Sequence, residues 1–345
     1  MPLRQRHSRM QWTGRARAAV LAGAALWLGC AGGPPPIDTC VPADGLTPIC
    51  GFTNPEDIVA LGEDWLLVSE MSRDDSGGRI LAFRPSDGAR HVAFESAKFY
   101  PHGIDLSADG SRLLVVDHGD GEAVGEYAVE RTADGAPTLS LVRHTAVPEA
   151  LDANLNDVAF TDTGFVTTKM MSTNQFWSSL QIATGNDSGE LLTWSEAAGW
   201  NVVADSAGSG PNGVAASPDG KTFFLAEWGA GRIVRVDASG GGRVESAPIG
   251  FSPDNLSWAS DGKLLVGGQV ATAVEATACF SVPESTNCGL GTRVVKVDPE
   301  TLAVEPVLDH HPATVMGGAS VAIEQGGRIW LGTFSGDRLA WMVAP

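Results

Sequence analysis

At 345 residues, with 42 glycines, 20 prolines and 43% hydrophobic residues, the chain has room for two average domains or one large all-β unit. Its net charge of −18 argues against a nucleic-acid or anionic-lipid partner and is compatible with bound divalent cations. Short apolar runs broken by Asp-Gly, Ser-Gly and Gly-Gly pairs have the texture of many strands and tight turns, and beyond residue 30 no helical periodicity is sustained.

The chain opens on a targeting segment. Arg4, Arg6, Arg9, Arg15 and Arg17 precede an apolar stretch over residues 18–28, which is too short to span a bilayer as a helix. It closes on Leu26-Trp27-Leu28-Gly29-Cys30, followed by small residues. A Gly-Cys in this place resembles a bacterial lipobox, although Trp27 stands where such motifs usually carry Leu. Residues 1–30 are therefore read as a signal peptide with Cys30 as a lipidation site, the alternative being ordinary cleavage and a freely soluble secreted product. In either case the protein is expected to be exported, as a periplasmic or cell-surface lipoprotein in the first. Any membrane contact is expected only through that lipid. Without residues 1–30, which carry five arginines and no acid, the net charge falls from −18 to −23. Residues 31–50 read as a linker and N-terminal segment. The remaining cysteines form two close pairs, Cys40 with Cys50 and Cys279 with Cys288, which suits disulfides in an oxidising compartment. No Cys-x-x-Cys occurs, which argues against a zinc knuckle.

From residue 51 onward one unit recurs: a polar residue, an apolar strand, a tight turn and a second apolar strand. Its copies begin Asp57-Ile58-Val59, Gly103-Ile104-Asp105, Asp157-Val158-Ala159, Gly213-Val214-Ala215, Asn255-Leu256-Ser257 and Ser320-Val321-Ala322. A third strand follows each, as in Arg79-Ile80-Leu81 and Arg232-Ile233-Val234. The anchors Ile58, Ile104, Val158, Val214, Leu256 and Val321 lie 46, 54, 56, 42 and 65 residues apart, a spacing that suits four-stranded blades. Six copies predict a six-bladed β-propeller over residues 51–345.

In a propeller the first strand of each blade lines the central channel, so the residues just before these strands converge on one mouth. They are Glu56 and Asp57, His102, Asn156 and Asp157, Asn212, then Asp254 and Asn255, with Ala319 and Ser320 in the sixth blade. Carboxylates and amides in four of the six places, with a histidine in a fifth, form a ring of hard oxygen donors of the kind calcium takes. Asn and Asp also begin strands and cap turns on their own account. One such site would be turn chemistry; a ring points to a metal. His118 lies 16 residues after His102, at the far end of the same hairpin, which predicts both imidazoles on one face.

Together Asn54-Pro55-Glu56-Asp57, Pro101-His102-Gly103-Ile104, Val115-Val116-Asp117-His118, Leu155-Asn156-Asp157, Pro211-Asn212-Gly213, Asp254-Asn255-Leu256 and Leu331-Gly332-Thr333 resemble the serum paraoxonase/arylesterase family. The likeness spans residues 51–342 in order. The Asn-Gly and Ser-Pro-Asp-Gly stretch is shared with the wider gluconolactonase and senescence-marker group, which lacks the paired histidines. The resemblance implies two calcium ions stacked in the channel of a lactone or aryl ester hydrolase. It assigns Glu56, Asn156, Asn212, Asp254 and Asn255 to the catalytic ion, and Asp57, Asp157 and the Ile104 carbonyl to a deeper one. It makes His102 the base that activates water and His118 its partner. No Gly-x-Ser-x-Gly or His-Glu-x-x-His occurs, so neither a serine nucleophile elbow nor that zinc motif is supported. Successive strand residues face opposite ways, so Glu56 and Asp57 can both reach the axis only through irregular backbone.

The hairpin spacing that places His118 also puts Trp228 in the mouth, with Met71, Met170, Gln269 and Phe334 ending the equivalent strands. In the family a helix covers the site where residues 171–188 lie here, which makes Phe176, Trp177 and Leu180 an apolar lid. His310 and His311 read as solvated loop residues. Two departures from the family stand out. Met342 occupies the place of a ring-closing cysteine, so closure should rest on an N-terminal strand completing the last blade. The short, polar 71–78 segment also lacks a tyrosine-bearing lid. Competing readings are a gluconolactonase-type sugar lactonase, a calcium-stabilised propeller that binds a partner without catalysis, and, more distantly, a metal-free strictosidine-synthase-like propeller.

Overall fold

The computed structural model describes residues 34–73 and 77–345. The signal segment and Cys30 lie outside the described residues. Six four-stranded antiparallel sheets are present among those residues, five of them meanders of consecutive strands and the sixth completed by an N-terminal strand. The first strands of the blades are Pro55–Leu61, Pro101–Leu106, Asn154–Thr161, Pro211–Ala216, Ser252–Trp258 and Ala319–Gln325. Each packs against the first strand of the next blade, and the sixth against the first, so the ring is closed around an axis.

The blades adhere because their middle strands are apolar on both faces. Along Arg112–Asp117, Leu113 and Val115 pack towards blade one with Leu67 and Ile104, while Leu114 and Val116 pack towards blade three with Val158 and Phe165. The same alternation gives a separate core at every blade junction, six in all among the described residues. Continuous apolar runs, unlike the alternation of half-exposed strands, are what a doubly covered sheet requires.

Closure follows the expected route. Thr47–Cys50 pairs with the last strand, Arg338–Val343, so the N-terminal segment supplies the outer strand of blade six. The Cys40–Cys50 disulfide ties the preceding loop to it, and Cys279–Cys288 is also formed. Arg338, 1% exposed, holds the strap down. Its guanidinium donates to the carbonyls of Thr39 at 2.5 Å, Val315 at 3.0 Å and Ile37 at 2.9 Å, and to Asp337 Oδ1 at 2.7 Å.

A short helix, Gln175–Ala183, lies within the 171–188 connection where the family resemblance implies one. Two features differ from the sequence reading. A second short helix, Ala273–Ala278, occurs, like the first, in a connection from a second to a third strand. Ala273–Ala278 is started by a capping box between Thr272 and Glu275, a local signal that needs no long periodicity. His310 is not solvated. It is buried, its Nε2 accepts the Thr314 and Val315 N–H groups at 2.9 and 3.2 Å, and burial pushes its pKa down; His311 is exposed.

Replacing Arg338 by Met keeps the packing but leaves the buried Val315 carbonyl without its donor and Ile37 with only the Asn287 N–H at 3.4 Å. The expected cost is about 3 kcal/mol, read as a lower urea midpoint at unchanged slope. A loss under about 1 kcal/mol would show that strand pairing alone closes the ring.

Candidate functional site

All six first strands break register at the same height. The pairing skips between Pro55 and Asp57, Pro101 and Ile104, Leu155 and Val158, Pro211 and Val214, Pro253 and Leu256, and Ala319 and Val321. The extra residues are Glu56, His102 with Gly103, Asn156 with Asp157, Asn212 with Gly213, Asp254 with Asn255, and Ser320. A β-bulge re-aims side chains and frees backbone groups, which is the irregularity that adjacent axial residues need. Two of the bulges require glycine for close approach. A Cβ on Gly103 would fall on Asp157 Oδ1 and within 2.6 Å of Asp157 Cα, and one on Gly213 would lie 2.6 Å from Asn255 Cα.

The ring residues are buried: Glu56 and Asn255 at 1% exposure, and Asp57, Asn156, Asp157, Asn212 and Asp254 at 5% or less. Four of their oxygens, Glu56 Oε2, Asn156 Oδ1, Asn212 Oδ1 and Asn255 Oδ1, have no hydrogen-bond partner. They come from four different blades. Asn255 Nδ2 donates to Glu56 Oε1 at 3.0 Å, and Ser320 Oγ donates to the Glu56 carbonyl. Burial, then repulsion from Asp57, Asp254 and Asp157, drives the Glu56 carboxyl well above its ordinary range. Burial likewise pushes Asp57 and Asp254 up to about 7, and Asp157 well up. None of the chief influences on these four groups among the described residues is a lysine or arginine. Such a set lacks a countercharge, and unpartnered buried oxygens are costly.

Deeper in the channel, carboxylates staple neighbouring blades. Asp57 accepts the N–H of Ile58 at 2.8 Å and of Ile104 at 2.7 Å, and Asp157 those of Val158 and Val214, both at 2.7 Å. Asp105, which the sequence reading did not single out, does the same with Leu106 and Phe160 at 2.9 and 2.7 Å. Each carboxylate joins its own blade to the next.

His102 and His118 do share one face. His102 Nδ1 lies 3.0 Å from His118 Nε2, and His102 Nε2 is 3.4 Å from Asn156 Nδ2 and 3.9 Å from Glu56 Oε1. Burial, then the neighbouring His118, lowers the His102 pKa to about 3, so its ring is neutral at ordinary pH. His118 Nδ1 is 2.9 and 3.0 Å from the two oxygens of Glu122, which the sequence reading missed. Its one sequence signal is the spacing of four residues.

The strand pairing sets Met71, His118, Met170, Trp228, Gln269 and Phe334 at equivalent places, each just after the residue opposite a bulge. All but Gln269 are half-buried; Gln269 is 1% exposed. Gln269 Oε1 accepts Trp228 Nε1 at 2.6 Å, and its Nε2 donates to Asp254 Oδ2 at 2.5 Å and to the Ala319 carbonyl at 2.7 Å. The Cys279–Cys288 loop was not foreseen as part of the wall, yet its cysteines pack with Trp228, Val282 and Phe334. Arg73 and Asn54 pin that loop through the Cys279 and Val282 carbonyls and Glu284. Phe176, Trp177 and Leu180 sit on the Gln175–Ala183 helix at 58%, 59% and 47% exposure, while Ser178 and Ile182 face inward.

A family model described as Arylesterase matches residues 86–339. No curated protein matches the chain. Among solved structures, a gluconolactonase from Xanthomonas campestris is 20% identical at a TM-score of 0.52, with 90% of this chain and 95% of that one covered. A PQQ-bound aldose sugar dehydrogenase from Streptomyces coelicolor is 15% identical at 0.56, covering 90% and 100%. A luciferin-regenerating enzyme is 12% identical at 0.56, covering 90% and 96%. At these identities the likeness is one of fold.

Gly103→Ala tests the tight bulge. The added methyl group should force blades two and three apart at Asp157 and cost about 2–3 kcal/mol in chemical denaturation. An unchanged midpoint would mean that the bulge can relax.

Proposed function

The chain belongs to the arylesterase family, and on that premise we propose that it is an exported, calcium-dependent hydrolase of aryl esters and lactones acting at the bulge ring. The observation that carries this is the set of four buried, partnerless oxygens contributed by four blades. Carboxylate and amide oxygens with no thiolate are a hard donor set, which suits calcium at six to eight ligands rather than zinc. Among the described residues no three His, Cys, Asp or Glu side chains form a metal cluster, and amides supply three of the five ligands assigned here. Glu56, Asn156, Asn212, Asp254 and Asn255 would hold the catalytic ion. Asp57, Asp157 and the Ile104 carbonyl would hold the deeper one, since each of those carboxylate oxygens accepts one backbone N–H and keeps a second lone pair.

Bound calcium supplies a Lewis acid that polarises the substrate carbonyl and offsets the charge of the oxyanion. His102 Nε2 takes the proton of the attacking water, and the ring is held for this by His118 at its Nδ1. The neutral state of His102 leaves it free to accept that proton. Trp228, Phe334, Met71 and Met170 line the mouth, and Gln269 fixes the Trp228 ring by its N–H. Phe176, Trp177 and Leu180 add an apolar rim. These surfaces favour an aryl or acyl group over a sugar, and the partner is a small-molecule ester or lactone. Two disulfides fit an exported protein, and no described helix is long and apolar enough to cross a membrane.

Hydrolysis of phenyl acetate and a δ-lactone by protein lacking residues 1–30 tests the reading. Activity should vanish with EGTA and return with calcium. Glu56→Gln should cost about 10³-fold, and His102→Gln about 10²- to 10⁴-fold. Calcium that raises Tm without turnover of either substrate would replace the enzyme by a binding propeller.

A further inference from the structure

Glu122 lies in the connection between the second and third strands of blade two, four residues after His118, and it is gripped from two blades. Its Oε1 accepts Asn154 Nδ2 at 2.9 Å and its Oε2 accepts the Leu155 N–H at 2.9 Å, both from the first strand of blade three. Its own carbonyl accepts the Val147 N–H at 2.9 Å. The remaining approach to the carboxylate is taken by His118 Nδ1, at 3.0 and 2.9 Å from the two oxygens. The side chain is 21% exposed. The Asn154 and Leu155 groups can only donate, so a proton on the carboxylate would find no acceptor at either of them.

We propose that Glu122 is a positioning residue that fixes where the protons sit on both histidines and thereby leaves His102 Nε2 open as the base. The inference rests on the hydrolase reading above and adds to it a residue outside the ring and the histidine pair. A carboxylate that only accepts places the shared proton on His118 Nδ1. A His118 ring with one proton, held on Nδ1, carries its lone pair on Nε2, so the hydrogen bond to His102 Nδ1 at 3.0 Å has its proton on His102. That leaves the lone pair of His102 on Nε2, the nitrogen that looks towards Asn156 and Glu56. One acceptor at the end of the chain of rings decides the state of the nitrogen at the other end.

When water adds to the carbonyl, one O–H bond breaks as the new C–O bond forms, and the proton goes to His102 Nε2. The imidazolium so formed is stabilised through His118 by the Glu122 carboxylate. As the acyl–oxygen bond breaks, the leaving alkoxide takes a proton from His102 Nε2. Protons and charge balance, with water the only added reactant. If Glu122 is removed, the His118 proton can settle on Nε2, the tautomer that free imidazoles favour. It would then point at His102 Nδ1, move the His102 proton to Nε2 and cap the base.

The test uses two-bond ¹H–¹⁵N imidazole spectra of calcium-loaded, ¹⁵N-histidine protein lacking residues 1–30, since the described residues alone complete the propeller. Signals are assigned with His102→Gln and His118→Gln. The unsubstituted protein should show both rings as Nδ1–H tautomers. In Glu122→Ala, His118 should become Nε2–H, with kcat on phenyl acetate down about 10²-fold and KM changed less than about twofold. Glu122→Gln keeps the volume but has one acceptor oxygen for three donors, and it should give an intermediate mixture. An Nε2–H His118 in the unsubstituted protein would overturn the proposal without any variant having to fold. Persistence of Nδ1–H in a folded Glu122→Ala would overturn it too. If the tautomers shift as stated but the unsubstituted protein hydrolyses nothing, the hydrolase reading fails while the hold of Glu122 on His118 stands.

Discussion

Everything at the mouth of this propeller depends on a backbone irregularity repeated six times. A regular strand sends consecutive side chains to opposite faces, so a ring of regular strands could offer the axis only one residue in two. The bulge at the start of each first strand removes that limit. It lets Asp254 and Asn255, or Asn156 and Asp157, face the channel together, and it leaves Asn156 Oδ1 and Asn255 Oδ1 without partners while the Asp57 and Asp157 carboxylates knit the blades. A bulge interrupts the strand ladder and gives up regular pairing. The bonds across blades replace part of what is lost: Ile104 to Asp57, Phe160 to Asp105 and Val214 to Asp157.

The rest of the fold makes this arrangement affordable. Six apolar junctions hold the blades, and none needs the channel to be apolar. The N-terminal strap removes the exposed edge of blade six by strand pairing, and the buried Arg338 fixes it by carbonyl contacts. A single chain thus becomes a ring in which a polar, electrostatically strained axis is surrounded by well-packed sheets.

Much of this was legible in the sequence because it is written locally. Ile58, Val214 and Val321 open hairpins whose period and turns are visible without any tertiary contact. The polar residues just before them differ from turn chemistry by recurring in register. The two disulfides join cysteines close in the chain, and Met342 in place of a cysteine pointed to strand closure. What stayed hidden was non-local. Glu122 is one acid among 41 until Leu155 and Asn154 meet it from another blade. His310 reads as a loop residue until the 314–315 backbone folds over its ring. The wall formed by the Cys279–Cys288 loop depends on Arg73 and Glu284, 211 residues apart.

Gln269 carries a consequence of another kind. Its amide joins the Trp228 indole on one side to the Asp254 carboxylate on the other, so the wall of the mouth and a group of the axial ring share one lever. A replacement at Trp228 without an N–H frees Gln269 Oε1 and leaves the amide held through Nε2 alone, by the Asp254 carboxylate and the Ala319 carbonyl; that amide N–H group is the donor that favours the charged form of Asp254. Positions 228 and 269 are therefore coupled through one hydrogen bond, and replacements at the two should travel in pairs.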